Sequence, residues 1–197
     1  MKLHYKGKFN LDPESLPSKP HKDEAVRFKE AKDSKEMMII ASVISVLLLI
    51  PLFIILYQRC GNAAFDDFFL GGILAILCAF PHELLHAICF KEDVYLYTNL
   101  KQGMLFVVGP EDMSKGRFIF MSILPSLIFG IIPFLIAMIR PSLSMLGVFG
   151  VLSISMGAGD FYNIFNAITQ MPKGARTYLY QFNSFWYMPD NETKSQE

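Results

Sequence analysis

The stretch AFPHELLHAICF, residues 79–90, places His82, Glu83 and His86 in an otherwise apolar run. Residues four apart lie on one face of an α-helix, so the two imidazoles can bind the same metal ion. Glu83 lies about 100° around the helix from His82, where its carboxylate can accept a proton from a water molecule beside the ion. This H-E-x-x-H spacing is typical of sites that use zinc to hydrolyse peptide bonds.

Two imidazoles and a carboxylate are expensive in an apolar helix, because an uncompensated polar group in hydrocarbon costs several kcal/mol, on the order of 2–7. The alternative interpretation is a pair of core histidines that bond to neighbouring helices. We favour the metal site, because three such groups within five residues would otherwise carry that cost without a function.

Zinc needs a third protein ligand, and Asp160 in SMGAGDFYN is the carboxylate that the fourth predicted membrane helix supplies. Its predicted depth agrees with that of His82 and His86 to within roughly one turn. Cys89 and Glu92 are weaker alternatives that the sequence leaves open. Asn163, one turn beyond Asp160, is predicted to orient a ligand or the substrate, or else to pack as a helix amide.

Small residues precede both parts of this predicted site. One stripe runs into His82 and His86, and a second stripe runs into Asp160: Gly71, Ala75 and Ala79, then Gly147, Gly150, Ser153 and Gly157. Because small residues let membrane helices approach closely, we expect the two stripes to face each other.

The segment Gly157–Asp160 also matches the G-x-G-D signature of intramembrane aspartyl proteases. That chemistry needs a second carboxylate close enough to share a proton. The other aspartates near a membrane helix, Asp66 and Asp67, are about 20 Å too shallow by helical rise. The aspartyl interpretation therefore fails on geometry.

The elements that must position these residues are four predicted membrane helices, at residues 37–57, about 68–90, about 118–139 and about 144–168. The chain has 197 residues, enough for one domain, and 52% of them are hydrophobic. We expect no cleavable signal peptide, so that the first helix remains as an anchor. The three cysteines suggest no disulfide framework and are predicted to be free thiols. With 18 basic and 18 acidic residues, the chain should not bind nucleic acid.

Basic residues predict the orientation. They are frequent before the first helix, in the loop after the second and after the fourth, whereas the other two loops carry only Arg59 and Arg140. This alternation predicts that both termini and the loop of residues 91–117 are cytoplasmic.

The predicted fold is therefore an all-α membrane protein with a small cytoplasmic hairpin between helices 2 and 3, where VYLYTN and MLFVVG flank LKQG. We divide the chain into a cytoplasmic segment of residues 1–36, a membrane domain of residues 37–170 and a cytoplasmic tail of residues 171–197. Residues 10–22 should be extended and residues 24–36 could form a charged helix. The aromatic tail YLYQFNSFWYMP is interpreted as an interfacial belt.

The segments HELLHA, MSKGRFIFMSILPSLIFGIIP and GDFYNIFNAITQMPKGA together resemble the putative zincin peptidase family of bacterial membrane proteins. The layout is more distantly similar to site-two proteases, although their N-x-x-P and L-D-G patterns are missing around Asp160. The resemblance implies that His82, His86 and Asp160 bind Zn²⁺ and that Glu83 is the base, in a bacterial cell membrane.

These observations predict a membrane zinc metallopeptidase that cleaves membrane-associated polypeptides near the cytoplasmic interface. A metal-binding membrane protein without activity, or an inactive peptidase-like scaffold, is the alternative. Glu83 favours the enzyme, because a storage site has no use for a carboxylate that binds no metal. A transporter would need polar groups along a path through the bilayer, and here they gather near one face.

Overall fold

A computed structural model describes residues 1–189; residues 190–197, the end of the predicted tail, lie outside the described part. Its helices are α1 to α8, and its strands are β1 to β7. The helices are Ser34–Cys60, Ala63–Asp66, Phe68–Leu77, Ala79–Ala87, Lys115–Pro125, Ile132–Ile139, Ser144–Met156 and Ala158–Gln170. The strands are Leu3–Lys8, Val26–Arg27, Val94–Asn99, Met104–Val108, Met113–Ser114, Arg176–Tyr180 and Asn183–Tyr187.

Three helical segments of the described chain are long and apolar enough to cross a membrane: Lys35–Cys60, Phe68–Ala87 and Lys115–Ile139. A fourth span arises if the bent pair Pro141–Met156 and Ala158–Gln170 counts as one. The first predicted helix is thus longer at both ends. Asp33 caps it, because its carboxylate accepts the Glu36 N–H at 2.8 Å.

The fourth predicted helix is not a single straight helix. Its two halves, α7 and α8, meet at 51° around Gly157. The Gly157 N–H is shared at 3.2 Å between the carbonyls of Ser153 and Ile154, and an added Cβ there would lie 2.4 Å from Ser126 Oγ. Gly157, the last glycine of the second small-residue stripe, therefore also ends α7 and leaves room for the Ser126 side chain.

The third predicted helix is continuous in outline but contains a π-helical segment, Ser126–Ile131, between α5 and α6. Pro133 follows it and has no N–H to donate to the carbonyl four residues earlier, which explains why the regular ladder is interrupted here.

The all-α expectation is wrong in part, because the chain also forms two β-sheets. The predicted hairpin is confirmed as β3 and β4, paired from Tyr95↔Val108 to Asn99↔Met104, with Gly103 in the left-handed region. The N-terminal strand β1 adds in parallel to β3, so the sheet order is β1-β3-β4. A single hairpin is marginal alone, and the third strand gives it a partner.

The second sheet has the order β2-β7-β6-β5. The aromatic tail supplies its central hairpin, β6 and β7, where the sequence analysis predicted no strands. The charged helix that was predicted over residues 24–36 does not form over residues 24–33. These residues instead contain the short strand β2, which pairs with β7.

The described residues fall into two compact units. The helical unit, as we call it, comprises Ala31–His82 and Ser122–Asn163. Its core is built from Leu56, Ala64, Phe134, Ala137, Val148, Val151 and Ile154. The sheet unit comprises Met1–Glu30, Glu83–Met121 and the described residues from Ile164 onward. It has two apolar clusters, one around Phe9 and Tyr97 and one around Phe28 and Met171.

The two small-residue stripes do not face each other along their whole length. In the helical unit, a Cβ at Gly71 would lie 2.7 Å from Val148, so α3 does approach α7 closely. A Cβ at Gly150 would instead meet the Phe134 nitrogen at 2.6 Å. The glycines of the second stripe thus mainly allow the third span, rather than the second, to pack closely against α7.

Candidate metal centre

Helix α4 carries the H-E-x-x-H residues and presents them together. One ligand atom from each of His82, Glu83 and His86 lies within 4.8 Å of the others. His86 is buried, and His82 and Glu83 are half-buried. The 3.6-residue period of the helix is sufficient to bring these groups together, so no distortion of α4 is required.

Asp160 contacts the first of these residues. Its Oδ2 atom lies 3.1 Å from His82 Nε2, and the two side chains are only 14% and 19% exposed. Zinc bonds of about 2.0–2.2 Å in a tetrahedral site separate neighbouring ligand atoms by roughly 3.4 Å. The observed spacing and the imidazole and carboxylate donors therefore fit a zinc ion bound by both residues.

The second histidine is oriented by a backbone group. His86 Nδ1 lies 3.0 Å from the carbonyl oxygen of Met121 on α5. A carbonyl can only accept, so Nδ1 carries a proton in this contact and the orientation of the ring is fixed by it. Met121 could not be predicted from the sequence, because a backbone carbonyl leaves no signal in residue type.

Glu83 is held by the first sheet. Its Oε2 atom accepts a hydrogen bond of 2.9 Å from the backbone N–H of Val107 on β4. Glu83, the predicted base, thus contacts the hairpin of β3 and β4, and this contact was not predicted from the sequence.

A model of the putative zincin peptidase family matches residues 73–176, more than half of the chain and all of the segment from His82 to Asp160. The chain belongs to this family. The resemblance predicted from the sequence is confirmed. No curated protein and no solved structure matches the chain.

In this member of the putative zincin peptidase family, Glu111 and Arg117 bind the backbone of residues 89–92, which follow α4. The Glu111 carboxylate accepts the N–H groups of Lys91 at 2.6 Å and Glu92 at 3.0 Å. Arg117 binds the same carboxylate and donates from Nε to the Cys89 carbonyl at 2.9 Å. Burial opposes the charge of Glu111, yet the Arg117 and backbone hydrogen bonds outweigh it and hold the pKa of this carboxyl below its usual range.

The alternative third ligands have other contacts. Glu92 forms an exposed ion pair of 2.7 Å with Lys19. Cys89 lies beyond the end of α4, and its thiol donates to the Leu85 carbonyl at 3.4 Å. All three cysteines are free, as predicted. Asn163 is half-buried on α8, one turn after Asp160.

A small cavity of about 20 Å³ adjoins His82 in the helical unit. Its lining combines the first stripe with the third span and α7: Ala75, Cys78, Ala79, His82, Phe129, Ser153 and Met156. The buried Ser153 hydroxyl has no hydrogen-bond partner among the described residues. This volume is enough for one water molecule, which would satisfy that hydroxyl beside His82.

Proposed function

We propose that this protein is a membrane-embedded zinc metallopeptidase that hydrolyses peptide bonds of membrane or membrane-adjacent polypeptides near the cytoplasmic interface. The contact of 3.1 Å between His82 Nε2 and Asp160 Oδ2 carries the proposal. It adds a carboxylate from α8 to the H-E-x-x-H residues of a chain that belongs to a zincin peptidase family.

In this proposal His82, His86 and Asp160 hold Zn²⁺, and Asn163 orients a ligand or the substrate. When bound, zinc polarises a carbonyl group and makes a water molecule more acidic. The hydrogen bond to Met121 directs His86 Nε2 to the ion. Glu83 accepts the proton of the attacking water and returns it to the leaving amine.

The exposed surface of the helices supports a place in the lipid bilayer. Apolar side chains of α1 and α3 are largely exposed, for example Leu47 at 68% and Phe69 at 75%. So many exposed large apolar side chains are unusual for a soluble monomer but ordinary where lipid covers them. We propose a multi-pass protein of the bacterial cell membrane.

The composition of the sheet unit supports the proposed topology. It contains the N-terminal segment, the loop after the second span and the C-terminal segment. These three segments are the ones that the basic residues predict to be cytoplasmic. They fold into one unit with shared sheets, and this supports the proposal that they lie on the same side of a membrane.

Strand β4 supports a polypeptide substrate. It lies at the edge of the sheet order β1-β3-β4, so one row of its backbone groups faces away from β3. A polypeptide can add to such an edge in extended form, which makes its peptide bonds accessible beside Glu83.

The decisive experiment compares wild type with Glu83→Gln. The substitution preserves the side-chain shape and removes the proton acceptor, so zinc content should be unchanged while peptide cleavage falls by about 10² or more. Zinc would be measured by mass spectrometry and cleavage by single-turnover assays of membrane peptides in liposomes. Equal cleavage by both proteins would refute the mechanism. Zinc in both proteins with cleavage in neither would favour a metal-binding scaffold.

A further inference from the structure

The contact between Glu83 and Val107 has a feature that the hydrolytic mechanism does not use. The Val107 amide has a single hydrogen, and it points to Glu83 Oε2 at 2.9 Å. It therefore faces the outer edge of β4 and not β3, although Val107 is opposite Leu96 in the hairpin register.

An added strand would need the same amide. Neighbouring strands lie about 4.7–4.9 Å apart, and each outward N–H of the edge donates to a carbonyl oxygen of the added strand at hydrogen-bond distance. In the free protein, a carboxylate oxygen of Glu83 occupies that acceptor position. Glu83 and a polypeptide carbonyl therefore compete for one donor.

We propose that the Val107 N–H is a shared backbone site that couples substrate binding to the release of Glu83. In the free protein it holds the Glu83 carboxylate. An extended polypeptide that adds to β4 takes this N–H with a carbonyl oxygen and frees the carboxylate beside the histidines of α4. The inference rests on the proposed function, since it concerns how that site recognises its polypeptide.

The structure provides a matched position for comparison. Leu105 lies two residues before Val107 on β4, so its N–H points to the same outer edge. On this strand the Glu83 carboxylate accepts from the Val107 N–H. A strand that adds to β4 thus uses both amides, and the Glu83 carboxylate already accepts from the one of Val107.

The test measures binding of a neutral fluorescent peptide of alternating valine and threonine to the full chain in detergent, as isolated and after chelation. Glu83→Ala removes the competitor, so the peptide should bind about three- to tenfold more tightly, the range of one net hydrogen bond. Glu83→Gln should give a smaller gain, because its amide oxygen still accepts the Val107 N–H.

Proline variants complete a double-mutant cycle. Val107→Pro removes the shared N–H and is compatible with an edge strand whose N–H faces outward. In this background, Glu83→Ala should no longer change the affinity for the peptide. Leu105→Pro should weaken binding, but the gain from Glu83→Ala should persist.

Hydrogen exchange of wild type and Glu83→Ala gives a readout that needs no proline variant. The Val107 amide should exchange faster in Glu83→Ala, while the amides that pair with β3 keep their protection. Unchanged exchange at Val107, unchanged or weaker peptide binding by Glu83→Ala, or no binding to either protein would each overturn the inference.

Failure of this inference is distinguishable from failure of the proposed function. If Glu83→Ala tightens binding but the zinc-loaded wild type cleaves no peptide, the shared site stands and the peptidase proposal falls. If wild type cleaves peptides while Glu83→Ala does not bind them more tightly, only the shared site is wrong.

Discussion

The helical unit and the sheet unit use charge differently. In the helical unit, His82 and Asp160 contact each other at 3.1 Å and are largely buried in an apolar setting. In the sheet unit, ion pairs range from the exposed Lys19–Glu92 to the buried Glu111–Arg117. Burial among apolar helices removes an imidazole and a carboxylate from water at a cost, whereas an exposed pair such as Lys19–Glu92 costs little and also contributes little. This difference supports the proposed metal-binding role of the contact between His82 and Asp160.

The largest effect should follow from removing the carboxylate in the helical unit. Asp160→Ala takes away a proposed zinc ligand, and affinity for zinc should fall by about 100-fold or more, since even outer-shell partners cost 10–100-fold. Competition with a chelating dye would measure it. Asp66→Ala is the control, because Asp66 is exposed and should leave zinc affinity unchanged.

If Asp160→Ala binds zinc as tightly as wild type, the contact between His82 and Asp160 has no role in metal binding and no longer differs in this respect from the ion pairs of the sheet unit. The third ligand would then have to come from Glu83, which lies within 4.8 Å of both histidines' ligand atoms, or from Cys89 or Glu92.

The next effect concerns stability in the sheet unit. Arg117→Met leaves the Glu111 carboxylate, 7% exposed, without its guanidinium partner, so unfolding free energy should fall by about 3 kcal/mol. Lys19→Met breaks an exposed pair and should cost about 0–1 kcal/mol. Denaturant unfolding in detergent would compare them.

A double variant tests the cause of that loss. Glu111→Leu in the Arg117→Met background removes the unpaired buried charge and should recover part of the stability. If Arg117→Met lowers the unfolding free energy no more than Lys19→Met does, the pair of Glu111 and Arg117 contributes no more than a surface pair.

The smallest effect separates two carboxylates of the sheet unit that both accept a backbone N–H. Burial raises the pKa of Glu30, which accepts the Ser184 N–H at 2.7 Å. The pKa of Glu111 is lowered, because the hydrogen bonds from Arg117 and the backbone outweigh the effect of its burial. The two groups should therefore change stability in opposite directions as the pH falls.

For Glu111, the stabilisation is complete above the unfolded pKa of about 4.3 and is lost as the pH falls through the lower folded value. For Glu30, the pKa in the folded protein is higher than in the unfolded chain. As the pH falls, the folded protein therefore takes up this proton first, and its stability rises. Glu30→Gln should thus raise the stability at neutral pH slightly, and Glu111→Gln should lower it. Unfolding free energies measured from pH 7 to about pH 2 would check both signs, and equal pH slopes for the two variants would contradict them.

The two hairpins show why the sequence predicted one sheet contact and missed another. Around β3 and β4, Gly103 adopts a φ of +65°, and glycine is the usual signal of such a turn. Between β6 and β7, Gln181 and Phe182 take φ values of +49° and +66° without a glycine or asparagine. Phe182 stacks on Phe9 at 5.7 Å, so tertiary packing offsets a conformation that the local sequence disfavours.

The candidate site divides in the same way. The ligand spacing on α4 is a local property of the helix, so His82, Glu83 and His86 could be predicted directly. Asp160 was predicted from depth, and the structure brings it to His82. The partners Met121 and Val107 act through backbone atoms, for which residue type carries no information.

The sequence by itself determined the apolar segments, the H-E-x-x-H spacing and the family, because each is a pattern of residue types along the chain. Tertiary structure decided the bend at Gly157, the joining of β1 to β3 and the contact between Glu83 and the edge of β4. These features depend on which distant backbone groups meet. Such pairings satisfy hydrogen bonds and fill space, so they are fixed only when the whole chain packs.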